Sequence, residues 1–93
     1  MKNYEGLFLI KPEFEAEELK TLYQSIQDIV KKHKGEIENA EEWGKKPLSF
    51  KIGKNKEALY YLLKFKIDPD QVKGLNTELT LNESIIRVML TKA

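Results

Sequence analysis

Cysteine is absent from this chain of 93 residues. Disulfide frameworks, cysteine-zinc sites and thiol nucleophiles are therefore excluded, and the chain is compatible with a reducing cytoplasm. Histidine occurs once, as His33. Its place near the end of a helical stretch reads as a solvated or dipole-pairing side chain, because no second group converges on it to make a general base. Three prolines and five glycines are too few for a disordered or fibrous chain. The longest apolar run, Leu7-Phe8-Leu9-Ile10, is far below the ~18 residues of a membrane-spanning helix. It is also too short for a signal segment and has no small-residue cleavage site. No membrane partner is expected. No glycine spacing resembles a phosphate-cradling loop, Ser25, Ser49 and Ser84 lack a nucleophile-elbow context, and the glutamates lack calcium-loop spacing. The expectation is no enzyme, no catalytic residue, no metal, no cofactor and no small-molecule substrate.

Charge is present in quantity, and it is sorted. The net charge is only +1, yet 33% of residues are charged. Glu13, Glu15, Glu17 and Glu18 cluster early, and Glu36, Glu38, Glu41 and Glu42 cluster again before the middle. Between residues 45 and 66 seven lysines, Lys45, Lys46, Lys51, Lys54, Lys56, Lys64 and Lys66, face Glu57 alone. A near-neutral protein can thus present a basic face, either as a phosphate-binding surface or simply as solvated lysines on exposed strands.

The hydrophobic periodicity gives six elements. Tyr4 to Ile10 alternates as a strand, with Tyr4, Gly6, Phe8 and Ile10 on one face. Leu19, Leu22, Tyr23, Ile26, Ile29 and Val30 form one stripe of an amphipathic helix over 16–34, with Gly35 as its left-handed stop. Ile37 to Ile52 is extended but changes phase, and Gly44 is the expected bulge; Pro47 argues for a sheet edge. Gly53-Lys54-Asn55-Lys56 reads as a turn. Leu59 to Ile67 alternates cleanly. Asp68-Pro69 caps a second helix carrying Val72, Leu75 and Leu79 and ending near Thr80, with Gly74 inside it. Ile86, Val88 and Leu90 alternate in a last strand. With right-handed crossovers, the order strand, helix, strand, strand, helix, strand predicts an α+β, ferredoxin-like βαββαβ sandwich, a single domain over 1–93: a four-stranded antiparallel sheet with both helices on one face.

In that arrangement Leu7, Leu9, Tyr60 and Leu62, with Met89, gather on the sheet face without helices. An uncovered face is usually polar. A contiguous apolar patch there has two readings, a partner surface or the ordinary apolar share of protein surface. Tyr60 flanked by Lys64 and Lys66 is similar to the third strand of RNA-recognition domains. However, Glu57-Ala58-Leu59-Tyr60-Tyr61-Leu62 lacks their basic–Gly–aromatic pattern, and the outward residues of the first strand are leucines. Two-base stacking on the sheet is therefore not expected, and the basic hairpin from Lys45 to Lys56 is the preferred RNA contact.

Three segments together resemble the bacterial ribosomal protein S-six family, the sixth protein of the small ribosomal subunit. They are Tyr4-Glu5 with Pro12 after the strand, Glu42-Trp43-Gly44-Lys45-Lys46-Pro47-Leu48-Ser49-Phe50-Lys51-Ile52 with Lys54 following, and Asn82-Glu83-Ser84-Ile85-Ile86-Arg87-Val88-Met89. The resemblance spans essentially the whole chain. Lys51 stands where the family often has proline, Pro47 where it often has a basic or polar residue, and the sequence stops at Ala93 where many relatives continue in a tail. The resemblance implies a cytoplasmic, ribosomal, non-enzymatic protein that binds the central domain of small-subunit (16S) rRNA jointly with ribosomal protein S-eighteen, and is monomeric off the ribosome. The expected RNA contacts are Lys2, Lys45, Lys46, Lys54, Lys56, Arg87 and Lys92, and the expected partner contacts Leu7, Leu9, Tyr60, Leu62 and Met89. The rival readings are a self-associating or regulatory module of the same fold and an acylphosphatase-like hydrolase. The hydrolase needs an arginine in a loop after the first strand, where this chain has Lys11-Pro12-Glu13.

Overall fold

The alternations and stripes fold into β1 (Lys2–Ile10), α1 (Ala16–Lys32), β2 (Glu36–Ile52), β3 (Asn55–Ile67), α2 (Pro69–Thr80) and β4 (Ile85–Lys92). The coordinates, a computed structural model, describe the backbone of residues 1–52 and 55–93 and the side chains outside 49–55. The sheet order is β2-β3-β1-β4, and every neighbouring pair is antiparallel. Both helices cover one face. The fold is the ferredoxin-like sandwich that the element order predicts.

Burial follows the predicted phases. Phe8 and Ile10 from β1, and Leu59, Tyr61, Leu63, Phe65 and Ile67 from β3, are buried against Leu22, Tyr23, Ile26 and Val30 of α1 and Leu75 and Leu79 of α2. Tyr23 stacks on Tyr61 with ring centroids 4.1 Å apart, and Gln27 Nε2 donates to the Tyr61 hydroxyl at 2.8 Å. That bond satisfies the polar tip of a ring whose body lies in the core. Burial is the main reason that both tyrosine hydroxyls have raised pKa values, with the Glu42 carboxylate adding to it.

The structure corrects the sequence reading in several places. Helix α1 ends at Lys32, two residues early, and His33 caps it. The left-handed residue is Lys34, at φ 66°, and not Gly35. Gly35 serves close approach instead: its N–H bonds the Val30 carbonyl at 2.9 Å, and a Cβ there would stand 2.6 Å from Val30 Cγ1. Strand β1 starts at Lys2, before Tyr4. Strand β3 starts at Asn55, before Leu59, so Asn55 and Lys56 belong to a strand; the rest of the expected turn, Gly53 and Lys54, lies outside the described residues. In the pairing of β1 with β4 a register shift between Leu9 and Ile10 sets Ile85 opposite Ile10. Ile85, 7% exposed, thus enters the core in the place expected for Ile86.

His33 is not solvated. Its Nε2 lies 3.0 Å from Glu78 Oε1 and its Nδ1 3.4 Å from Gln71 Oε1, so it bridges α1 to α2. Gly74 makes room, since a Cβ there would meet His33 Cε1 at 3.4 Å. Glu78 also pairs with Lys32 at 3.2 Å. The His33 hydrogen bond first, and then the Lys32 one, hold its carboxyl below the usual range.

Candidate nucleic-acid and protein interface on the open sheet face

Strand β2 pairs with β3 alone, so it is an edge, and Pro47 sits where its missing N–H costs no central ladder bond. Its register slips between Glu42 and Gly44, and Gly44 takes φ 77°. The bulge falls where the phase change required one. Trp43 follows Glu41 by strand alternation onto the sheet face opposite the helices. A further slip between Ile37 and Asn39 leaves Ile37 on the helix side, so the two do not share a face as their common phase predicted. The Gly44 bulge then brings Lys46 onto the open face beside Trp43. There the Trp43 ring lies over Tyr60, with centroids 6.4 Å apart and planes 12° off parallel. Lys46 Nζ stands 5.4 Å from the Trp43 ring centroid, within cation–π range. Trp43 remains 41% exposed.

The pairing register lays the rest of this face out in rows. Gly44, Tyr60, Leu9 and Arg87 make one row across the four strands, and Glu41, Leu62, Leu7 and Met89 make the next. Asn39, Lys64, Glu5 and Thr91 make a third. The five residues expected to meet a partner are therefore brought together. Leu7, Tyr60, Leu62 and Met89 are half-buried. Leu9 is only 4% exposed: on the open face it is covered by its own neighbours, so it supports the patch from beneath and offers little surface. Leu7, Leu62, Met89 and Trp43 line a shallow trough of about 480 Å³, rimmed by Glu5, Glu41, Lys64 and Thr91.

The expected RNA contacts fall into two groups. Lys45, Lys46, Lys56 and Arg87 are exposed at the end of the sheet nearest the β2–β3 connection; Lys54 lies outside the described residues. Lys2 and Lys92 are exposed at the opposite end, near Ile67 and Tyr4 in register, so the structure does not bring them to the first group. Strand alternation also sorts the charges by face. Lys56 shares the open-face phase of Ala58 and Tyr60, and Lys46 stands opposite Ala58. Glu57, Glu42 and Lys45 share the helix-side phase of Leu59 and Tyr61, so the structure does not bring Lys45 to the open face beside Lys46 as expected. Lower on the open face, Lys64 and Lys66 lie 3.9 Å from Glu41 and Glu38. The basic character of this face is thus concentrated around Trp43. Sequence reasoning missed Trp43 as a surface residue here; the signal was its position immediately before the glycine of a bulge.

Among the described residues no group of three or more His, Asp and Glu converges as a metal site would require, and no helix is long and apolar enough to cross a membrane. Fold and face together define a small α+β protein whose accessible surface suits macromolecular neighbours: a half-apolar centre and a basic, aromatic end. The amino-acid sequence matches the profile of the Ribosomal protein S6 family over residues 3–92, and the chain belongs to that family. The small ribosomal subunit protein bS6 of Desulforamulus reducens is 34% identical over 92 residues, 99% of this chain and 97% of that one. That of Dictyoglomus turgidum is 35% identical over 91 residues, covering 98% and 94%. The crystal structure of 30S ribosomal protein S6 from Thermotoga maritima superposes with a TM-score of 0.91 at 26% identity, covering 99% of this chain and 87% of that one. The family is one of ribosomal proteins of the small subunit, and the ribosome is a cytoplasmic particle.

Proposed function

We propose that this chain works as one ferredoxin-like unit over 1–93 in the small ribosomal subunit, binding the central domain of its rRNA jointly with ribosomal protein S-eighteen, without catalysis. The observation that carries this reading is the register of the open sheet face, which sets an apolar centre of Leu7, Leu62 and Met89 directly beside a basic end containing Lys46, Lys56 and Arg87. Apolar surface of this kind favours a protein neighbour. Exposed lysines neutralise phosphates and release counterions, which makes affinity fall with salt. Arg87 adds a planar fork suited to a phosphate or a base edge. Lys2 and Lys92 would reach a separate stretch of backbone.

The test is a titration against a central-domain rRNA fragment, with and without ribosomal protein S-eighteen, at several salt concentrations. The expected result is tight binding only with the partner, weakening steeply with salt. No binding in either case, with both proteins folded, overturns the reading. A stable homodimer in sedimentation, in the absence of RNA, would instead favour self-association through the same apolar centre.

A further inference from the structure

Trp43 and Tyr60 are more than part of an apolar patch. Their rings are close to parallel, and Trp43 presents two-fifths of its surface to solvent. Lys46 sits over the Trp43 ring. Arg87 ends the same cross-strand row, beyond Leu9. Glu42 and Glu57, the nearest acidic residues in sequence, are turned to the helix side by strand alternation, and Glu41 on the open face is engaged by Lys64. A flat aromatic surface ringed by cations complements a ligand that is itself flat and carries a negative charge at its edge. A nucleotide has that form: an unstacked base with a π-face and a phosphate a few ångströms away. Base–aromatic stacking is tolerant of sequence because every base has a π-face, and unpaired bases are the part of RNA that proteins can stack. A purely apolar protein segment would gain nothing from Lys46 and Arg87 at this end, and has the trough around Leu7, Leu62 and Met89 to occupy.

We infer that Trp43, supported by Tyr60, is a stacking platform for one unpaired RNA base, with Lys46 and Arg87 taking the flanking phosphates. The inference rests on the RNA-binding reading above and goes beyond it by dividing the open face: base at the Trp43 end, protein at the Leu7–Met89 centre. The Gly44 bulge contributes by resetting the alternation after Trp43, so that Lys46, opposite Ala58, falls on the same face as the ring.

Trp43 is the only tryptophan in the chain, so its fluorescence reports the site directly. The experiment titrates the full chain, saturated with ribosomal protein S-eighteen, with the central-domain rRNA fragment and with a fully paired RNA of equal length. The Trp43→Phe protein run in parallel isolates the Trp43 emission. Anisotropy of labelled RNA measures binding independently. The expected result is quenching of Trp43 by the rRNA fragment and not by the paired RNA. Trp43→Leu, which stays apolar but cannot stack, should weaken rRNA binding roughly tenfold, and Trp43→Phe should cost only about two- to threefold. Neither change should alter the salt slope or the binding of ribosomal protein S-eighteen. If the rRNA binds without quenching and Trp43→Leu binds as wild type, the stacking site is wrong while the RNA-binding reading stands. If ribosomal protein S-eighteen alone quenches Trp43 and Trp43→Leu lowers its affinity, the ring belongs to the protein contact and the inference is overturned. If no RNA binds at all, both readings fail together.

Discussion

Replacing Gly44 with alanine isolates one physical term. Gly44 holds φ 77°, and a Cβ built on it would meet nothing within 4 Å. No clash or cavity enters, so the cost is that of forcing an L-residue into the left-handed region, roughly 1–2 kcal/mol. The unfolded chain gives back part of this, because alanine has less conformational freedom to lose than glycine, worth roughly 0.4–1 kcal/mol. The net expectation is a loss of about 1 kcal/mol. With a urea dependence of roughly 1–3 kcal/mol per molar for a small protein, the midpoint should fall by about 0.5 M at unchanged slope. In thermal unfolding the same loss corresponds to about 4–8 °C. Gly44→Asn should recover much of the stability, because asparagine visits the left-handed region more readily than alanine. If Gly44→Ala unfolds with the wild type, or Gly44→Asn is as damaging as Gly44→Ala, the positive φ is not what glycine supplies here and the account of the bulge fails.

Two other glycines should respond with opposite signs. Gly35→Ala puts a methyl 2.6 Å from Val30 Cγ1 and 3.0 Å from the Val30 carbonyl oxygen, an overpacking that should cost about 1–3 kcal/mol in urea unfolding. Gly74→Ala makes only an ordinary contact with His33 at 3.4 Å and removes a helix-interior glycine, so it should stabilise by up to about 1 kcal/mol. The Glu78 carboxyl is held below its ordinary pKa by His33 and Lys32. Its contribution is therefore present above the unfolded carboxylate pKa and lost as pH falls through the lower folded value. Glu78→Gln should flatten the decline in stability measured between about pH 5 and pH 2, and an unchanged decline would remove Glu78 as its source. Neutralising Lys46 and Lys56 together should lower the slope of log affinity against log salt by about two at most, close to one per lost phosphate contact. An unchanged slope would take both off the RNA surface. Leu62→Asp puts a charge in the apolar centre and should abolish pairing with ribosomal protein S-eighteen while the chain still unfolds cooperatively. Undiminished pairing would move that contact off the open face.

The order of the six elements was legible in the sequence because each carries a period that its own backbone imposes: twofold in Tyr4 to Ile10 and Leu59 to Ile67, near 3.6 in Leu19 to Val30. Those periods also determined which side of each strand is core, and hence that Leu7, Tyr60, Leu62 and Met89 share the other side. Proline and glycine marked the rest: Asp68-Pro69 opened the second helix, Pro47 placed its strand at an edge, and Gly44 located the bulge. Family membership was legible as well, since the middle and closing motifs are local strings.

Only the tertiary structure decided what depends on two segments meeting. The bulge at Gly44 can be placed by sequence, but the second slip, between Ile37 and Asn39, which puts Ile37 and Trp43 on opposite faces, shows only in the pairing with the neighbouring strand. The substitution of Ile85 for Ile86 in the core comes from a slip between β1 and β4 that neither strand encodes alone. Gly35 looked like a left-handed stop, and its true constraint is the Val30 side chain packed against it. His33 looked solvated because its partners, Gln71 and Glu78, lie 38 and 45 residues away. Leu9 alternates outward yet is covered by the residues beside it. Charge showed the same limit. The sequence displayed a run of lysines, and pairing of the strands divided it, engaging Lys64 and Lys66 with glutamates and leaving Lys46, Lys56 and Arg87 around an exposed aromatic ring. Periodicity is a property of one segment, whereas register, coverage and charge pairing are properties of two, and for this protein the second kind builds the surface that its neighbours would meet.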